Sequence, residues 1–538
     1  MIALKKIIMR KNIQFILVVL TTFFIYQPTI AQLQISDANC VVSTQSGKVK
    51  GSVIDGIGVF KSIPYAAPPI GSNRFAAPVA HLTWGGIRDA TKQGPTAPFA
   101  TMPEGDFDSE PTMGKGWLKG DDFLAVNIWT PSTLQHKLPV MVYIHGGAFA
   151  IGTSDVPLFD GTNFAKKGVV LVTLNYRMGI EGFLQIPGVP TNIGIRDQIA
   201  ALKWVKENIA AFGGDPANVT LFGESAGAIS VGVLITSKAA TGLFKRCIME
   251  SGSGQAALSK EQAGIIAAQY AKTLKISNTR EAYLRFSPEE LLAAQGKVTS
   301  KMVKLKTPSA PDPTGGVALF FPIIDGDIIT EMPVASIRKN EPANIDLLIG
   351  YNTDEMNYFL LPTGLLKKIK FNFILNRAVL NVHPAPSVLI GVFKKTYPKK
   401  NLGELFSTIL TSYQAQMPSI RFANELAKTS AKIFMYEFAW PSSIKNGVYG
   451  AYHGVEMPFV FNNLQSKGDR GMLGPDGGPQ ALADKMQDAW VSFAKAGNPG
   501  WDAYTTRERK TMLINNTWQL QTNPHEKILA AWDGVREY

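Results

Sequence analysis

The chain of 538 residues is 45% hydrophobic and 18% charged, values that are typical of a globular protein with a large core and exclude a disordered or fibrous chain. Its formal net charge is +12, but four of these charges lie in the first eleven residues, which leaves about +8 on the rest. Lysine pairs at 367–368, 394–395 and 399–400 contribute to this charge and indicate either attraction to an anionic surface or a solvated basic face. Nothing in the sequence predicts a nucleic-acid partner.

The N-terminus has the pattern of a secretory signal peptide. Basic residues from Lys5 to Lys11 precede an apolar run over 13–25, and Thr29 and Ala31 place small residues at −3 and −1 of a cleavage site. We therefore expect residues 1–31 to be removed and the mature protein to be secreted or periplasmic. An uncleaved membrane anchor is the alternative, although the run is short for a span. No later segment predicts a transmembrane helix.

The chain has only two cysteines, Cys40 and Cys247, which is few for a secreted protein. Cys247 lies in an apolar stretch that predicts a central strand, so we expect it to be buried. A disulfide between Cys247 and Cys40 is the alternative, which we do not expect. No histidine or cysteine spacing is typical of a metal site. The sequence therefore predicts no metal site.

The first half of the mature chain predicts strands and then alternating strands and helices. Residues 41–62 have the pattern of hairpin strands, and 121–130 that of a further strand. The apolar runs at 138–144 and 169–175 are typical of strands covered on both faces. Residues 195–212 have helical spacing. This alternation predicts an α/β fold with a large, mostly parallel central sheet and helices on both faces.

The second half continues this pattern with an added helical segment. Further strands are predicted at 244–250, 346–351 and 432–438, and a C-terminal helix at 480–497. Residues 360–430 are mainly helical, and we interpret them as insertions around the mouth of a site. We find no linker or repeat, so residues 32–538 are predicted to form a single domain.

One motif carries the chemistry of a nucleophilic serine. Gly223-Glu224-Ser225-Ala226-Gly227 fits G-x-S-x-G and lies between a predicted strand at 219–222 and a predicted helix that starts at Ala226. Small neighbours allow the strained turn that exposes such a serine. The helix N-terminus beside it favours a developing anion. A chance match is the alternative, and the strand and helix on either side argue against it.

A serine hydroxyl needs a base, and the base needs an acid that fixes its tautomer. In this architecture the acid and the histidine follow the serine in that order. Three histidines follow Ser225, and His453 lies in a loop after a predicted strand, where the base is expected. At the end of strand 346–351, Asp354 and Glu355 compete as the acid. The spacing alone does not choose between them.

The negative charge of a tetrahedral intermediate requires backbone N–H donors. The stretch His145-Gly146-Gly147-Ala148 follows a predicted strand and has small residues whose backbone can approach a substrate. The N–H of Ala226, directly after the nucleophile, supplies another donor. A plain glycine turn is the alternative for residues 145–148.

These motifs resemble the type-B carboxylesterases, the family of cholinesterases and bacterial para-nitrobenzyl esterases. The resemblance runs from about Gly47 to Pro499 and is densest from Asn192 to Gly227. Asn175-Tyr176-Arg177 also matches. The resemblance implies an α/β-hydrolase fold and ester hydrolysis without a cofactor.

The resemblance also implies residue roles that spacing leaves open. The family's acid falls on Glu355, within a motif like N-x-D-E, and its base on His453, within a motif like H-G-x-E. Its oxyanion donors fall on Gly147, Ala148 and Ala226. The residues that support its site fall on Glu224 and Ser251. Its two ion pairs fall on Arg74 with Asp121 and on Arg177 with Asp197.

The sequence departs from the family at two places. Ala97 and Phe123 stand where the family has the cysteines of an N-terminal loop disulfide, so we expect that loop to be held by packing. Trp117 is displaced from the position of the tryptophan in a choline site. A cage for a quaternary ammonium group is therefore not expected, and Glu224 is expected to support the site instead of binding a cation.

Together these patterns predict a secreted serine carboxylic-ester hydrolase that acts on short-chain or aromatic esters through an acyl-enzyme. The preference for such small-molecule esters is implied by the resemblance alone. The alternatives are a lipase, an amidase or peptidase on the same fold, and a binding module without catalysis. The sequence leaves the oligomeric state open.

Overall fold

The structure is a computed structural model that describes residues 40–101, 105–131, 137–301, 303–308, 311–313, 318–339 and 344–537. The predicted signal peptide, residues 1–31, lies outside the described residues. Within these ranges, no helix is both long enough and apolar enough to cross a membrane.

Fourteen strands are found within these described ranges. They are β1 (Val41–Ser43), β2 (Lys48–Lys50), β3 (Ser52–Ile54), β4 (Ile57–Pro64), β5 (Ile87–Asp89), β6 (Ala125–Thr130), β7 (Leu138–Ile144), β8 (Val170–Leu174), β9 (Gly214–Glu224), β10 (Arg246–Glu250), β11 (Asp346–Asn352), β12 (Ile433–Phe438), β13 (Thr511–Ile514) and β14 (Gln519–Gln521).

The helices run along the whole described chain. They are α1 (Glu110–Met113), α2 (Thr162–Lys166), α3 (Gly179–Phe183), α4 (Ile193–Asn208), α5 (Ala226–Thr236), α6 (Lys260–Leu274), α7 (Arg280–Leu284), α8 (Pro288–Thr299), α9 (Pro333–Arg338), α10 (Asn357–Leu360), α11 (Leu365–Lys368), α12 (Asn372–Val379), α13 (Pro386–Thr396), α14 (Leu402–Thr411), α15 (Met417–Leu426), α16 (Met457–Val460), α17 (Gln480–Ala496) and α18 (Glu526–Ala531).

A large, mostly parallel sheet confirms the predicted fold class. Its strand order is β14-β13-β12-β11-β10-β9-β7-β8-β6-β4-β3 among the described residues. The strands from β13 to β8 in this order pair in parallel, and antiparallel pairs add strands at both edges. A separate small sheet holds β1, β2 and β5.

The central strands are covered on both faces, as their continuous apolar runs predict. In β7, Val140 and Val142 belong to one buried apolar cluster, while Met141 and Tyr143 belong to another. Because successive side chains of a strand point to opposite faces, the two clusters lie on opposite sides of the sheet. Each cluster includes residues of helices, such as Val205 of α4 in the first and Trp490 of α17 in the second.

Several predicted element boundaries agree closely with the structure. Strand β7 has the predicted bounds, and the predicted helix 195–212 corresponds to α4 followed by a 3-10 turn at Ile209–Phe212. The segment 360–430 is helical, with a π-turn at Ser412–Gln416 between α14 and α15. Strands β13 and β14 extend the sheet beyond the last predicted strand.

The register of the sheet brings four loops to one edge. Gly223 of β9 lies opposite Ile144 of β7, and Glu224 lies opposite Glu250 of β10. In turn, Glu250 lies opposite Gly350 of β11. The chain therefore leaves these neighbouring parallel strands at the same edge, where ligands of open α/β sheets bind.

One of the two ion pairs implied by the resemblance is confirmed and the other is wrong. Arg177 and Asp197 are almost fully buried and lie 2.6 Å apart. Arg74 pairs with Glu181 of α3 at 2.6 Å and not with Asp121. Asp121 is exposed in a loop, whereas Glu181 is carried by a helix that faces the Arg74 guanidinium.

The burial of Cys247, which its apolar stretch predicts, is confirmed. Cys40 and Cys247 are both buried and form no disulfide. Ala97 and Phe123, which replace the family's cysteines, are buried in the first apolar cluster. Apolar side chains therefore surround both positions at which the resemblance implies cysteines.

Candidate active site

Ser225 occupies a strained turn between β9 and α5. Its φ of 55° and ψ of −119° lie outside the regions that L-residues favour. Its N–H donates to the Glu250 carbonyl at 2.9 Å, and its carbonyl accepts from the Ile229 N–H at 2.9 Å. A Cβ on Gly227 would lie 2.0 Å from the Ile144 carbonyl oxygen, so only glycine allows α5 to start so close to β7.

His453 and Glu355 form a hydrogen-bonded pair beside this serine. The distance between Nδ1 of His453 and Oε2 of Glu355 is 2.6 Å. The other oxygen of Glu355 accepts from the backbone N–H of Asn352 at 2.7 Å. Glu355 is buried, so the pair has little competition from water. This bond fixes the ring so that Nε2 is the nitrogen free to exchange a proton.

The structure separates the two carboxylates that the sequence left in competition. Oδ2 of Asp354 accepts from the backbone N–H of Ala451 at 3.2 Å, and Oδ1 contacts Nζ of Lys400 at 3.4 Å. Asp354 therefore ties the acid loop to the loop that carries His453. Glu355 alone of the two contacts the imidazole.

The free nitrogen of His453 has an unexpected neighbour. Nε2 lies 3.1 Å from Oε1 of Glu224, the residue before the serine. The pair is not aligned as a hydrogen bond, and Oε1 of Glu224 has no hydrogen-bond partner in the described chain. Among the described residues, no side chain or backbone group forms a hydrogen bond with Oγ of Ser225. The contact is favourable only when the ring or the carboxyl carries a proton.

Burial and neighbouring charges displace the pKa values at this contact. Burial lowers the pKa of His453, but the Glu224 and Glu355 carboxylates raise it more, and the net direction is upward. Burial raises the pKa of Glu224 above its usual range, and the charge of His453 opposes part of this rise. The two groups thus share a proton over a pH range where an isolated glutamate is ionised.

Two further buried glutamates lie behind the pair, and neither of them was predicted from the sequence to belong to the site. Glu456 accepts from the Asn352 side chain and from Oγ of Ser251, the latter at 3.3 Å. Burial raises the pKa of Glu456 to about 8, and the charges of Glu224 and Glu355 add to the rise. Ser251 therefore contacts the site through Glu456.

Glu250 is the second of these carboxylates. It is fully buried, Oε1 accepts from Nε1 of Trp490 at 2.6 Å, and Oε2 has no partner among the described residues. Burial raises its pKa well above the usual range. Its only sequence signal is a glutamate that ends an apolar strand directly before Ser251.

The loop after β7 presents unpaired backbone donors to the site. Gly147 and Ala148 have φ values of 104° and 55°. In the described chain, their N–H groups and that of Ala226 make no hydrogen bonds. The Gly147 carbonyl instead accepts from the N–H groups of Ala150 and Ile151, both at 3.0 Å, which fixes the turn. The three predicted oxyanion donors line one cavity together with Ser225.

This cavity has a volume of about 290 Å³ and contains Ser225, His453 and Glu224. Its walls are mainly aromatic and aliphatic, with Phe107, Met113, Phe149, Leu158, Phe159, Ile229, Phe321, Tyr358, Phe359, Met457 and Met472. The ring centre of Phe359 lies 5.1 Å from that of His453. Sequence patterns did not identify these wall residues, because they come from loops far apart in the chain.

Trp117 and the two other histidines that follow Ser225 lie outside this cavity. Trp117 does not line the cavity, and no other tryptophan among the described residues does. His383 bonds to the Ala531 carbonyl at 3.0 Å, and His525 pairs with Glu437 at 2.6 Å, both outside the cavity. No group of three or more His, Cys, Asp or Glu side chains in the described part of the chain is arranged to hold a metal ion.

Comparison with known proteins gives a consistent result. The model of the carboxylesterase family matches residues 38–532. The chain is 35% identical over 500 residues to the para-nitrobenzyl esterase of Bacillus subtilis (strain 168), covering 90% of this chain and 97% of that protein. It is 30% identical over 540 residues to the acetylcholinesterase of Bungarus fasciatus, covering 91% and 86%. The crystal structure of the Geobacillus stearothermophilus carboxylesterase EST55 at pH 6.2 matches with a TM-score of 0.79 at 34% identity, covering 92% of this chain and all of that one.

Proposed function

The chain belongs to the carboxylesterase family and is a carboxylic ester hydrolase, and on this basis we propose that Ser225, His453 and Glu355 form its catalytic triad. One observation carries the proposal. Ser225 starts a helix in a strained turn and shares a single apolar cavity with His453, whose other ring nitrogen is bonded to Glu355 at 2.6 Å.

In the first step, Oγ of Ser225 attacks the ester carbonyl and its proton passes to Nε2 of His453. Glu355 stabilises the imidazolium that forms, because its bond to Nδ1 becomes a charge-assisted one. The N–H groups of Gly147, Ala148 and Ala226 meet the oxyanion, and each such donor is worth roughly 3 kcal/mol. His453 then gives the proton to the leaving alcohol, and an acyl-enzyme remains on Ser225.

In the second step, water attacks the acyl-enzyme with His453 again as the base, and the acid leaves Ser225. For His453 to accept a proton in either step, its ring must be neutral. A proton held on Glu224 satisfies this requirement, because a neutral carboxyl group does not favour the imidazolium. We infer that Glu224 sets the protonation state of the base and makes no covalent bond to substrate.

The substrates we propose are neutral esters with short-chain or aromatic groups. The cavity volume of about 290 Å³ lies at the small end of the roughly 300–1,000 Å³ of small-molecule sites, and its walls are apolar. The carboxylate of Asp108 in the lining disfavours anionic substrates. The lining has no tryptophan face for a quaternary ammonium group within the described residues.

Hydrolysis of para-nitrophenyl acetate, butyrate and palmitate by the mature protein and by Ser225→Ala tests the proposal. We expect turnover of the two short esters by the wild type and none by the variant. Full activity in Ser225→Ala would contradict the assignment of the nucleophile. Palmitate as the best substrate would favour a lipase, and matched anilide substrates distinguish an amidase.

We further propose that residues 1–31 direct export and are cleaved, which makes the mature enzyme secreted or periplasmic. The basic region, apolar run and small residues at 29 and 31 support this proposal. N-terminal sequencing of the protein recovered outside the cytoplasm should start at Gln32. An intact N-terminus in the membrane fraction would favour the anchor instead.

A further inference from the structure

The positive charge of the mature chain is concentrated in one segment. Between Glu355 and Glu404 there is no acidic residue, and residues 356–403 contain eight lysines and arginines. This excess equals the net charge of about +8 that remains outside the signal peptide. The rest of the mature chain is therefore close to neutral in sum.

The same segment exposes large apolar side chains. The exposed fractions are 40% for Leu365, 59% for Phe371, 71% for Phe373, 56% for Leu380 and 65% for Val388. Isolated exposed apolar residues are common in soluble proteins, but a cluster within one short segment is typical of an interaction site.

These side chains are arranged on neighbouring elements. In and just after α12, Phe373, Arg377 and Leu380 have i, i+4 and i+7 spacing and lie on one exposed face, while Leu375 and Val379 are buried. The rings of Phe371 and Phe373 stack with centres 5.8 Å apart.

Helix α13 is bonded to α12 and carries further basic residues. Nζ of Lys394 contacts the Asn372 side chain at 2.9 Å, and Ser387 donates to Asn376 at 2.8 Å. The exposed side chains of α12 and α13 therefore lie on neighbouring helices, and those of α11 directly precede them in the chain.

Most of the cations on this surface have no anionic partner. Lys400 contacts Asp354, but no other basic residue of the segment forms an ion pair with a described residue. The exposed and unpaired ones are Lys367, Lys368, Lys370, Arg377, Lys395 and Lys399. Their charge is available to an external anion.

We propose that this surface, formed by residues 365–399, docks the enzyme on an anionic phospholipid bilayer. Aromatic and aliphatic side chains surrounded by lysines match the boundary between headgroups and acyl chains. A hydrophilic polyanion would pair with the lysines but leave the phenylalanines and Leu380 in water. A second copy of the chain would bring two surfaces of the same charge together.

The docking surface also lies close to the cavity along the chain. Tyr358 and Phe359 of α10 line the cavity, and α11 starts only a few residues later, at Leu365. Docking through this surface would bring the cavity within reach of esters dissolved in the bilayer. This goes beyond the proposed activity, and binding to lipid does not require the triad to be correct.

Flotation of the mature protein with phosphatidylcholine vesicles, with and without phosphatidylglycerol, tests the proposal. We expect binding only to the anionic vesicles, and a marked loss at high salt because exposed charges are screened. Each lysine near an anionic surface increases the binding constant for that surface about fivefold. Lys367→Gln, Lys368→Gln and Lys370→Gln combined should therefore weaken binding about 100-fold.

Matched controls separate this surface from general charge and hydrophobicity. Lys203→Gln, Lys238→Gln and Lys245→Gln combined remove the same charge from exposed sites elsewhere and should leave binding within a few-fold. Phe371→Ser with Phe373→Ser should weaken binding, whereas Ile54→Ser with Leu82→Ser, also exposed, should not. Unchanged turnover of para-nitrophenyl acetate shows that each variant is folded.

Three results would overturn the proposal. The first is no binding of the wild type to anionic vesicles at low salt. The second is an equal loss of vesicle binding in the variants of the docking surface and in their matched controls. The third is a dimer that dissociates in Phe371→Ser with Phe373→Ser while vesicle binding is absent, which would assign the surface to self-association.

Discussion

Nε2 of His453 lies 3.1 Å from Oε1 of Glu224, so the ring nitrogen proposed to take the proton from Ser225 already has a carboxylate neighbour. The other nitrogen is bonded to Glu355. The base thus lies between two glutamates with different tasks. In the proposed mechanism, Glu355 orients the ring, and the protonation of Glu224 decides whether the ring is free to act.

Glu224→Gln should move the acid limb of the pH dependence of kcat/KM to lower pH. That limb reports the pKa of the base in the free enzyme. The Glu224 carboxylate favours the imidazolium and raises the pKa of His453, so removal of the charge lowers it. We expect a shift of about one pH unit, measured with para-nitrophenyl acetate.

Glu437→Gln is the matched control for this shift. It removes the same charge beside another histidine, His525, which does not line the cavity. The limb should stay in place in this variant. If the acid limb does not shift in Glu224→Gln, or shifts equally in both variants, Glu224 does not control the pKa of the base.

Glu355→Gln should lower kcat by roughly 10³–10⁴-fold with little change in KM, because the amide cannot stabilise the imidazolium. Asp354→Asn should change kcat by less than about tenfold, since an amide oxygen can still accept from the Ala451 N–H. Steady-state kinetics of the two variants, at equal folded fraction, provide the measurement. The reverse order of effects would make Asp354 the acid.

The sequence was sufficient for those parts of the molecule that depend on local pattern. The apolar run at 138–144 predicted β7 with its bounds, and the G-x-S-x-G motif between a strand and a helix predicted the turn at Ser225. Strand β13 was missed because it has only four residues, Thr511–Ile514, too few for a period to be recognised.

Contacts between distant residues could not be read in the same way. The resemblance gave Arg74 the partner Asp121, but the helix that carries Glu181 supplies the carboxylate instead. The contact of Glu224 with His453 joins β9 to a loop that follows β12, and no spacing rule connects them. Buried carboxylates such as Glu250 have no local signature, because their effect depends on which groups surround them.

The loop that holds Gly147 and Ala148, two of the proposed oxyanion donors, supplies a test of backbone geometry. In Gly147→Ala, the new Cβ would lie 2.1 Å from the Ile151 carbonyl oxygen at a φ of 104°, so the turn must shift. We expect kcat on para-nitrophenyl acetate to fall about 10²–10³-fold, the cost of losing one aligned donor. KM should change much less, because the oxyanion exists only after attack.

Gly188→Ala separates this effect from strain in general. Gly188 also has a positive φ, 75°, but no atom lies within 4 Å of the added Cβ. This variant should lose about 1 kcal/mol of stability and retain its kcat. Equal losses of kcat in both variants would remove the argument for donors in the Gly147 loop.

The gain in stability of Glu250→Gln over the wild type should become larger as the pH rises. Burial holds the pKa of Glu250 well above its ordinary value, so the folded state keeps a proton that the unfolded chain releases above about pH 4.5. Stability contributed by this group is therefore present at low pH and is lost as the pH rises. Glutamine can still accept from Nε1 of Trp490 and carries no charge at any pH.

The free energy of unfolding in urea at about pH 5 and about pH 8 measures this difference. Relative to the wild type, the free energy of unfolding of Glu250→Gln should increase from the lower to the higher pH, because only the wild type must keep or lose a buried proton over this range. Glu207→Gln removes a carboxylate from an exposed position on α4 and should show no such change. The same gain at both pH values would mean that Glu250 is ionised in the folded protein, which would contradict the buried, protonated carboxyl group inferred here.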